Sequence, residues 1–87
     1  MKLVFSKRFE EDYVRLLKSG SKYRDRVTKT LEFLASDINH PSLRLHKLNN
    51  RSSYSVSVDM KIRILMEIED ETIFLIRIGN HDVIYRD

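Results

Sequence analysis

The chain has a single proline, Pro41, and its hydrophobic pattern changes there from one period to another. Before the proline, apolar residues recur at steps of three and four, as they do on one face of an α-helix. After it, apolar and polar residues alternate, as they do in a strand with one buried face. Because proline disfavours helical backbone at the residue before it, a helix must end by His40. We therefore expect helices first and a sheet after them.

Two amphipathic helices are predicted in the first half, after a short β-prone segment at residues 2–5. Ser6 can cap the first helix, and the acids that follow it suit the positive end of the helix dipole. Residues 19–21, Ser-Gly-Ser, end this helix, and so short a link predicts an antiparallel hairpin. The two apolar stripes are Phe9, Tyr13, Leu16 and Leu17, and Tyr23, Val27, Leu31 and Leu34.

Polar turns separate four predicted strands, which lie at residues 43–48, 54–58, 62–68 and 72–78. Short turns favour a meander of these strands, and the nearly continuous apolar run at 73–78 belongs at the centre of the sheet. The expected fold is α+β: an N-terminal strand, an antiparallel αα-hairpin packed on a mainly antiparallel sheet of about four to five strands, and a short C-terminal helical turn. We expect residues 1–87 to form a single domain.

The composition and the motifs exclude several classes of protein. The chain has no cysteine, which excludes a disulfide scaffold and a cysteine-ligated zinc site and favours a reducing, cytoplasmic location. The apolar run at residues 3–5 is too short for a signal peptide or a membrane span. Gly-rich phosphate loops, GxSxG and HExxH are absent from the sequence. His40 and His46 are poorly spaced as metal ligands, so no metal or other cofactor is expected.

Positive charge is concentrated in the middle of the chain. Residues 40–63 contain five Lys or Arg and one acid, whereas residues 64–87 contain two basic residues and six acids. This asymmetry indicates a face that meets a polyanion. The alternative is that these charges only solvate the surface of a small sheet.

One arginine of this basic segment, Arg63, lies inside an apolar strand. A charged side chain in that position has a functional role or a charged partner. Alternatively, it lies on an edge strand and extends its head group into water. Arg77 raises the same question on the next strand, where a cross-strand pair with Glu67 or Glu69 is expected. Strand alternation places three polar residues on one face of the sheet, namely Ser55, Ser57 and Arg63.

The segment after the fourth predicted strand contains a glycine, a histidine and a tyrosine. Gly79 is expected to free the backbone there. A helical turn over residues 81–86 would then place His81 and Tyr85 on one face. An imidazole and a phenol beside Arg63 suit phosphoryl transfer on RNA, in which side chains move the protons and a guanidinium stabilises the charged phosphorane. Alternatively, Tyr85 only packs on the sheet edge and His81 caps the strand.

Three segments carry a family resemblance, and they occur in the order that the family has them: KLVFSKRFEEDYVRLL, LHKLNNRSSYSVSVDMKIRILMEI and LIRIGNHDVIY. Over essentially its whole length the chain resembles the RelE/ParE superfamily of bacterial type II toxins. It looks nearest to the RelE- and YafQ-like mRNA interferases of that superfamily.

The resemblance implies a toxin that cleaves mRNA in the ribosomal A site and so inhibits translation. It implies the ribosome and mRNA as partners, together with a cognate antitoxin protein whose helix or extended segment crosses the αα-hairpin and lies along the sheet. It implies no membrane, metal or cofactor, because the chemistry would use side chains and the 2′-hydroxyl of the RNA.

The resemblance also implies roles for individual residues. Arg63 matches the strand arginine that contacts the scissile phosphate. His81 matches a C-terminal His or Arg that acts as an acid or phosphate ligand, and Tyr85 matches an aromatic residue that stacks on or orients the nucleotide. His46 corresponds to a histidine that YafQ-like members place before the hairpin. The residues expected to bind RNA are Lys47, Arg51, Lys61, Ser55 and Ser57.

One departure from the family pattern keeps a second function open. RelE-type members usually carry Lys or Arg where this chain has Ser55 and Ser57, and a loss of positive charge weakens the attraction for phosphate. The alternative is a ParE-like inhibitor of DNA gyrase, which has the same fold and no nuclease activity. The serines favour that alternative. His81 and Tyr85, which ParE-like chains generally lack, favour the nuclease.

Overall fold

The computed structural model describes residues 1–48 and 52–86. The elements are β1 (Lys2–Phe5), α1 (Lys7–Ser19), α2 (Lys22–Ser36), a 3₁₀ turn (Pro41–Leu43), β2 (His46–Lys47), β3 (Ser53–Ser57), β4 (Arg63–Glu69), β5 (Thr72–Gly79) and α3 (His81–Arg86). One five-stranded sheet has the strand order β1-β5-β4-β3-β2, in which β1 runs parallel to β5 and every other neighbouring pair is antiparallel. The predicted α+β fold, with its helical hairpin and its meander of β2 to β5, is confirmed.

The predicted strand at residues 43–48 is wrong in its extent, because only His46–Lys47 pairs with β3. The 3₁₀ turn begins at Pro41, whose fixed φ suits the start of a turn. Arg44 then adopts left-handed backbone, with φ of 49°. Leu43, which suggested a strand, is instead a buried core residue at the end of the turn.

The two faces of the sheet are covered by different elements. Strand alternation sends Leu65 to the face opposite the helical hairpin, where it packs with Leu48 and with Ile84 of α3. α3 therefore covers part of the second face. The main core, between the helical hairpin and the first face, consists of Phe9, Val27, Leu34, Leu43, Val56, Ile62, Ile64, Met66, Ile73, Leu75 and Ile78.

Asp12 of α1 forms a buried ion pair with Arg77 of β5. Asp12 is 5% exposed, and its carboxylate accepts hydrogen bonds from Arg77 Nε at 3.0 Å and Nη2 at 2.9 Å. The backbone N–H of Ile78 also donates to this carboxylate, at 3.1 Å. The structure thus gives Arg77 a partner on α1, Asp12, where a cross-strand pair with Glu67 or Glu69 was predicted. A bidentate pair of this kind fixes both distance and orientation between the two elements.

The ion pair lies at an irregularity in the sheet. Leu65 and Met66 of β4 face Arg77 and Leu75 of β5, so Ile76 is one residue more than the partner strand can match. Such a bulge bends its strand. The N-cap serine of α1 donates its hydroxyl to the carbonyl of this extra residue, at 2.8 Å. α1 is therefore bound to β5 where that strand bends.

The surroundings of Asp12 lower its pKa. Burial alone would raise the pKa of the carboxyl, because it disfavours the charged form. The hydrogen bonds from Arg77 and from the Ile78 N–H, together with the charges of Arg77 and Arg15, outweigh burial. The pKa of Asp12 therefore lies below its ordinary value, and the carboxylate is the form that the fold stabilises.

Replacing Asp12 by alanine is expected to lower the free energy of unfolding by about 3–5 kcal/mol, because the substitution removes the buried carboxylate that pairs with the Arg77 guanidinium and with the Ile78 N–H. Urea denaturation of Asp12→Ala measures the effect. Glu11→Ala is the matched control, because Glu11 is the preceding residue of the same helix and is exposed. Equal stability of the two variants would show that the ion pair does not hold α1 on the sheet.

The stability of the wild type is expected to fall in acid more steeply than that of Asp12→Asn. Since the folded pKa of Asp12 lies below its unfolded value, the unfolded state binds the proton more tightly. The contribution of Asp12 is therefore complete above the unfolded pKa and is lost as the pH falls through the folded pKa. Urea denaturation of both proteins from neutral pH into acid tests this, and parallel pH profiles would contradict it.

Candidate functional site

Polar side chains from three elements meet on the sheet face opposite the helical hairpin. β3 contributes Ser55, β4 contributes Arg63, and α3 contributes Tyr85. In the strand register Ser57 pairs with Arg63 and His46 pairs with Ser55, and directly opposed residues share a face. The prediction that Ser55, Ser57 and Arg63 lie on one face is therefore confirmed.

The guanidinium of Arg63 is fixed by two partners. Its Nε and Nη2 donate to Ser55 Oγ at 3.2 and 3.0 Å. Nη2 also donates to the backbone carbonyl of Arg44 at 3.2 Å. A non-glycine residue with left-handed backbone, as at Arg44, is uncommon and often occurs at functional sites. No sequence pattern singled out Arg44, because its contribution comes from a carbonyl group and not from its side chain.

His81 and Tyr85 lie one helical turn apart on α3, as predicted. Their ring centroids are 4.2 Å apart with an interplanar angle of 37°. The phenol oxygen of Tyr85 lies 3.2 Å from Ser55 Oγ, and its ring packs on the small apolar cluster of Leu48, Leu65 and Ile84. Tyr85 thus does both things that the sequence left open: the ring packs on the sheet and the hydroxyl enters the polar cluster. His81 is exposed beside it.

Gly79 is needed for space and not for backbone freedom. Its φ is not positive, so the expectation that it frees the backbone is wrong. A Cβ at this position would lie 2.9 Å from both Cβ and Cγ1 of Val83 in α3. α3 can therefore lie close to the end of β5 only because residue 79 has no side chain. Asn80 begins the helix, since its Oδ1 accepts from the Val83 N–H at 3.1 Å.

The other predicted residues are placed less directly. His46 is exposed on the face of the cluster, next to Ser55 in register. Lys47 is exposed but pairs with Tyr54, which packs on the main core, so it lies on the opposite face. Exposed Lys61 lies in the turn between β3 and β4. The predicted RNA-binding residue Arg51 lies outside the described residues.

The two serines predicted to bind RNA have partners within the protein. Ser55 has no exposed surface, and its hydroxyl is occupied by Arg63 and Tyr85. Ser57 is half-buried and donates its hydroxyl to the carbonyl of Asp59 at 2.7 Å. Ser55 is therefore a buried residue whose hydroxyl contacts the other members of the cluster, Arg63 and Tyr85.

The described residues contain neither a metal-binding cluster nor a membrane-spanning helix. Within 1–48 and 52–86, no three His, Asp or Glu side chains are grouped so that they could hold a metal ion. Over the same residues, no helix has the length and apolar character needed to cross a membrane.

Comparison with known proteins gives a family match over nearly the whole chain. The family described as the ParE toxin of the type II toxin–antitoxin system parDE matches residues 3–85. No curated protein sequence gives a significant match.

Solved structures of similar fold have low sequence identity to the chain. YafQ from Escherichia coli strain BL21(DE3) is 15% identical, with 97% of each chain covered and a TM-score of 0.80. A metal-bound toxin from Helicobacter pylori is 22% identical, with 98% of this chain and 99% of that one covered and a TM-score of 0.81. The E. coli DinJ–YafQ toxin–antitoxin complex contains a chain 15% identical, with coverage of 97% and 96% and a TM-score of 0.79. At these identities the likeness establishes the fold.

Replacing Gly79 by alanine is expected to displace α3 and lower the free energy of unfolding by about 1–3 kcal/mol, because the new Cβ overlaps Val83. Gly20→Ala is the matched control, since a Cβ there would make only ordinary contacts, at 3.6 Å from Tyr23. Thermal unfolding and the NMR shift of the buried Ile84 methyl group report the two effects. An unchanged Ile84 signal in Gly79→Ala would show that α3 does not need this close approach.

Proposed function

The chain belongs to the ParE toxin family of type II toxin–antitoxin systems, and we propose that it is a ribosome-dependent endoribonuclease that cleaves mRNA in the A site. In this proposal residues 1–87 act as one toxin domain. The observation that supports cleavage is the cluster of Arg63, Ser55, Tyr85 and His81 on the sheet face opposite the helical hairpin.

The groups of the cluster are those that RNA cleavage by its own 2′-hydroxyl requires. The 2′-oxygen attacks the adjacent phosphorus, a P–O2′ bond forms and the P–O5′ bond breaks, which leaves a 2′,3′-cyclic phosphate and a 5′-hydroxyl. One side chain accepts the 2′ proton and another gives a proton to the leaving oxygen. The guanidinium of Arg63 stabilises the charge on the phosphorane. His46, His81 and Tyr85 are the candidates for proton transfer.

Preorganisation supports a role for Arg63 in stabilising the transition state. Donors that are already fixed need no reorganisation when charge develops on the phosphate. Arg63 is held by Ser55 and by the Arg44 carbonyl, so its direction is set before RNA binds. Exposed Lys61 lies in the turn between β3 and β4 and, with Arg51 of the same basic segment, would attract the RNA backbone, whereas Lys47 lies on the opposite face of the sheet.

The proposed protein partner is a cognate antitoxin. In the E. coli complex a YafQ chain of this fold is bound by DinJ, and the same kind of partner is proposed here. Two exposed apolar residues suit such a contact: Phe5 of β1 is 42% exposed and Val14 of α1 is 53% exposed. β1 is an edge strand, so none of the strands in the described part of the chain pairs with its outer side. An antitoxin segment that crosses the hairpin and follows this edge would cover both.

Inhibition of DNA gyrase without RNA cleavage is the second candidate. The description of the matching family, ParE, favours it. It is also favoured by the absence of basic side chains at Ser55 and Ser57, where RelE-type members usually have them. The tail residues His81 and Tyr85 favour the nuclease, because gyrase inhibition gives no reason for an imidazole in contact with a phenol that shares a hydrogen-bond partner, Ser55, with a fixed guanidinium.

Primer extension on an mRNA in a purified translation system tests the proposal. Wild-type protein is expected to cut the mRNA only when ribosomes are present. Arg63→Ala and His81→Ala are each expected to lower the cleavage rate about 10²-fold or more. Arg24→Ala is the matched control, because it removes an exposed charge on α2, away from the cluster. The expected rate of this control is that of the wild type.

The other outcomes are equally informative. Intact mRNA and continued translation with folded wild-type protein would reject the nuclease, and a supercoiling assay with purified gyrase would then test the second candidate. Cleavage that Arg63→Ala and His81→Ala retain in full would show that the cluster is not the active site.

A further inference from the structure

We propose that Ser55 is a positioning residue that makes Tyr85 the general acid of the reaction, by directing its own hydroxyl proton at the phenol oxygen. This inference rests on the proposed nuclease function and assigns the direction of proton transfer within it. The hydroxyl group of Ser55 is buried and lies within hydrogen-bond distance of both Arg63 and Tyr85.

The acceptor capacity of Ser55 is fully used by Arg63. A serine hydroxyl has two acceptor lone pairs and one donor proton. Arg63 Nε and Nη2 both donate to Ser55 Oγ, at 3.2 and 3.0 Å. Ser55 has no exposed surface, so water does not compete for the group. Only the proton of the hydroxyl remains to be placed.

Electrostatics and geometry direct that proton to Tyr85. The guanidinium is positively charged and occupies the lone-pair side of Ser55 Oγ, so the hydroxyl proton must point away from it. Among the described residues, the one other polar atom that contacts Ser55 Oγ is the phenol oxygen of Tyr85, at 3.2 Å. Ser55 is therefore the donor and Tyr85 the acceptor. The distance is long for a hydroxyl pair, as is common at catalytic hydrogen bonds before substrate binds.

The direction of this bond decides what Tyr85 can do. The phenol oxygen of Tyr85 already accepts a hydrogen bond from Ser55, so the O–H of Tyr85 must donate to a different group. A substrate can lie on the side of Tyr85 that faces away from Ser55. Hydrogen bonds in a chain polarise one another, so the bonds from Arg63 to Ser55 and from Ser55 to Tyr85 strengthen the hydrogen bond that the phenol itself donates. Tyr85 is thus set to give its proton to O5′ as the P–O5′ bond breaks. The base that accepts the 2′ proton is then one of the exposed histidines, His46 or His81.

The same contacts leave Arg63 with one nitrogen for the substrate. A guanidinium has five N–H donors. The Nε donor and both Nη2 donors are used by Ser55 and by the Arg44 carbonyl. Within the described residues, the two N–H groups of Nη1 make no hydrogen bond. Arg63 therefore contacts a phosphate oxygen through Nη1 and not through a two-nitrogen fork.

The test is an mRNA whose scissile linkage carries sulfur in place of O5′. A thiolate leaves without protonation, so this substrate needs no general acid. The measured quantity is the ratio of the cleavage rates of the sulfur and oxygen linkages, in the ribosomal assay. For Tyr85→Phe the ratio is expected to rise about 10²-fold or more over wild type. For Ser55→Ala it is expected to rise in the same direction.

Ser53→Ala is the matched control, because Ser53 lies on the same strand and face, is 8% exposed and is two residues from Ser55. Its ratio is expected to equal that of the wild type. Unchanged ratios in Tyr85→Phe and Ser55→Ala, with wild-type cleavage intact, would overturn the assignment. If Ser55 only maintained the structure, its replacement would slow cleavage of the sulfur and oxygen linkages equally. If wild type cleaves neither linkage, the nuclease itself is rejected and the assignment fails with it.

Neutron diffraction of the deuterated wild-type protein gives a readout that does not depend on activity. The expected result is a deuteron on Ser55 Oγ that points at the Tyr85 oxygen. A deuteron on Tyr85 that points at Ser55 Oγ would overturn the assignment, even if the protein proves to be a nuclease.

Discussion

The buried ion pair between Asp12 and Arg77 is the interaction on which the rest of the structure depends. It joins α1 to β5, and β5 is the strand that pairs with both β1 and β4 and leads into α3. Because the carboxylate also accepts from the Ile78 N–H, it fixes the backbone just after the bulge. The direction in which the chain leaves the sheet is therefore set by an aspartate on the other face. The position of His81 and Tyr85 follows from that direction.

The two faces of the sheet meet two requirements that conflict in a small protein: one buries apolar side chains, and the other keeps polar side chains near the surface. One face buries apolar side chains against the helical hairpin and supplies most of the core. The other face keeps a cation and several hydroxyl groups close to the surface, and α3 excludes water from only part of it. Ser55 lies at the boundary, where a buried hydroxyl would be costly without partners, and its contacts with Arg63 and Tyr85 satisfy it.

Local pattern and family resemblance predicted the elements and the members of the cluster. Helical period, strand alternation and Pro41 placed both helices and three of the four meander strands, because these signals act over a few residues. The same alternation placed Ser55 and Arg63 on one face. The short extent of β2 was missed, since the left-handed backbone at Arg44 has no signature in the sequence. The partner of Arg77 was missed because Asp12 is far away along the chain.

The roles of Gly79 and Ser55 were missed for a different reason. Both depend on how closely α3 lies on the sheet, which no strand or helix pattern encodes. A glycine after a strand looks like a conformational hinge, whereas here it makes room for Val83. A serine in an alternating strand looks exposed, whereas here Tyr85 covers it. Packing between elements decided both outcomes.

The parallel pairing of β1 with β5 has a consequence for how the protein is made. Lys2 pairs with Thr72 and Phe5 with Leu75, so the two strands are neighbours only after most of the chain has been synthesised. Contacts so distant in sequence form late, because closing a long loop costs entropy before the contacts repay it. The αα-hairpin can form on the nascent chain before its sheet exists, with its apolar face uncovered. During that interval the unfinished protein offers a hydrophobic surface to chaperones or other chains.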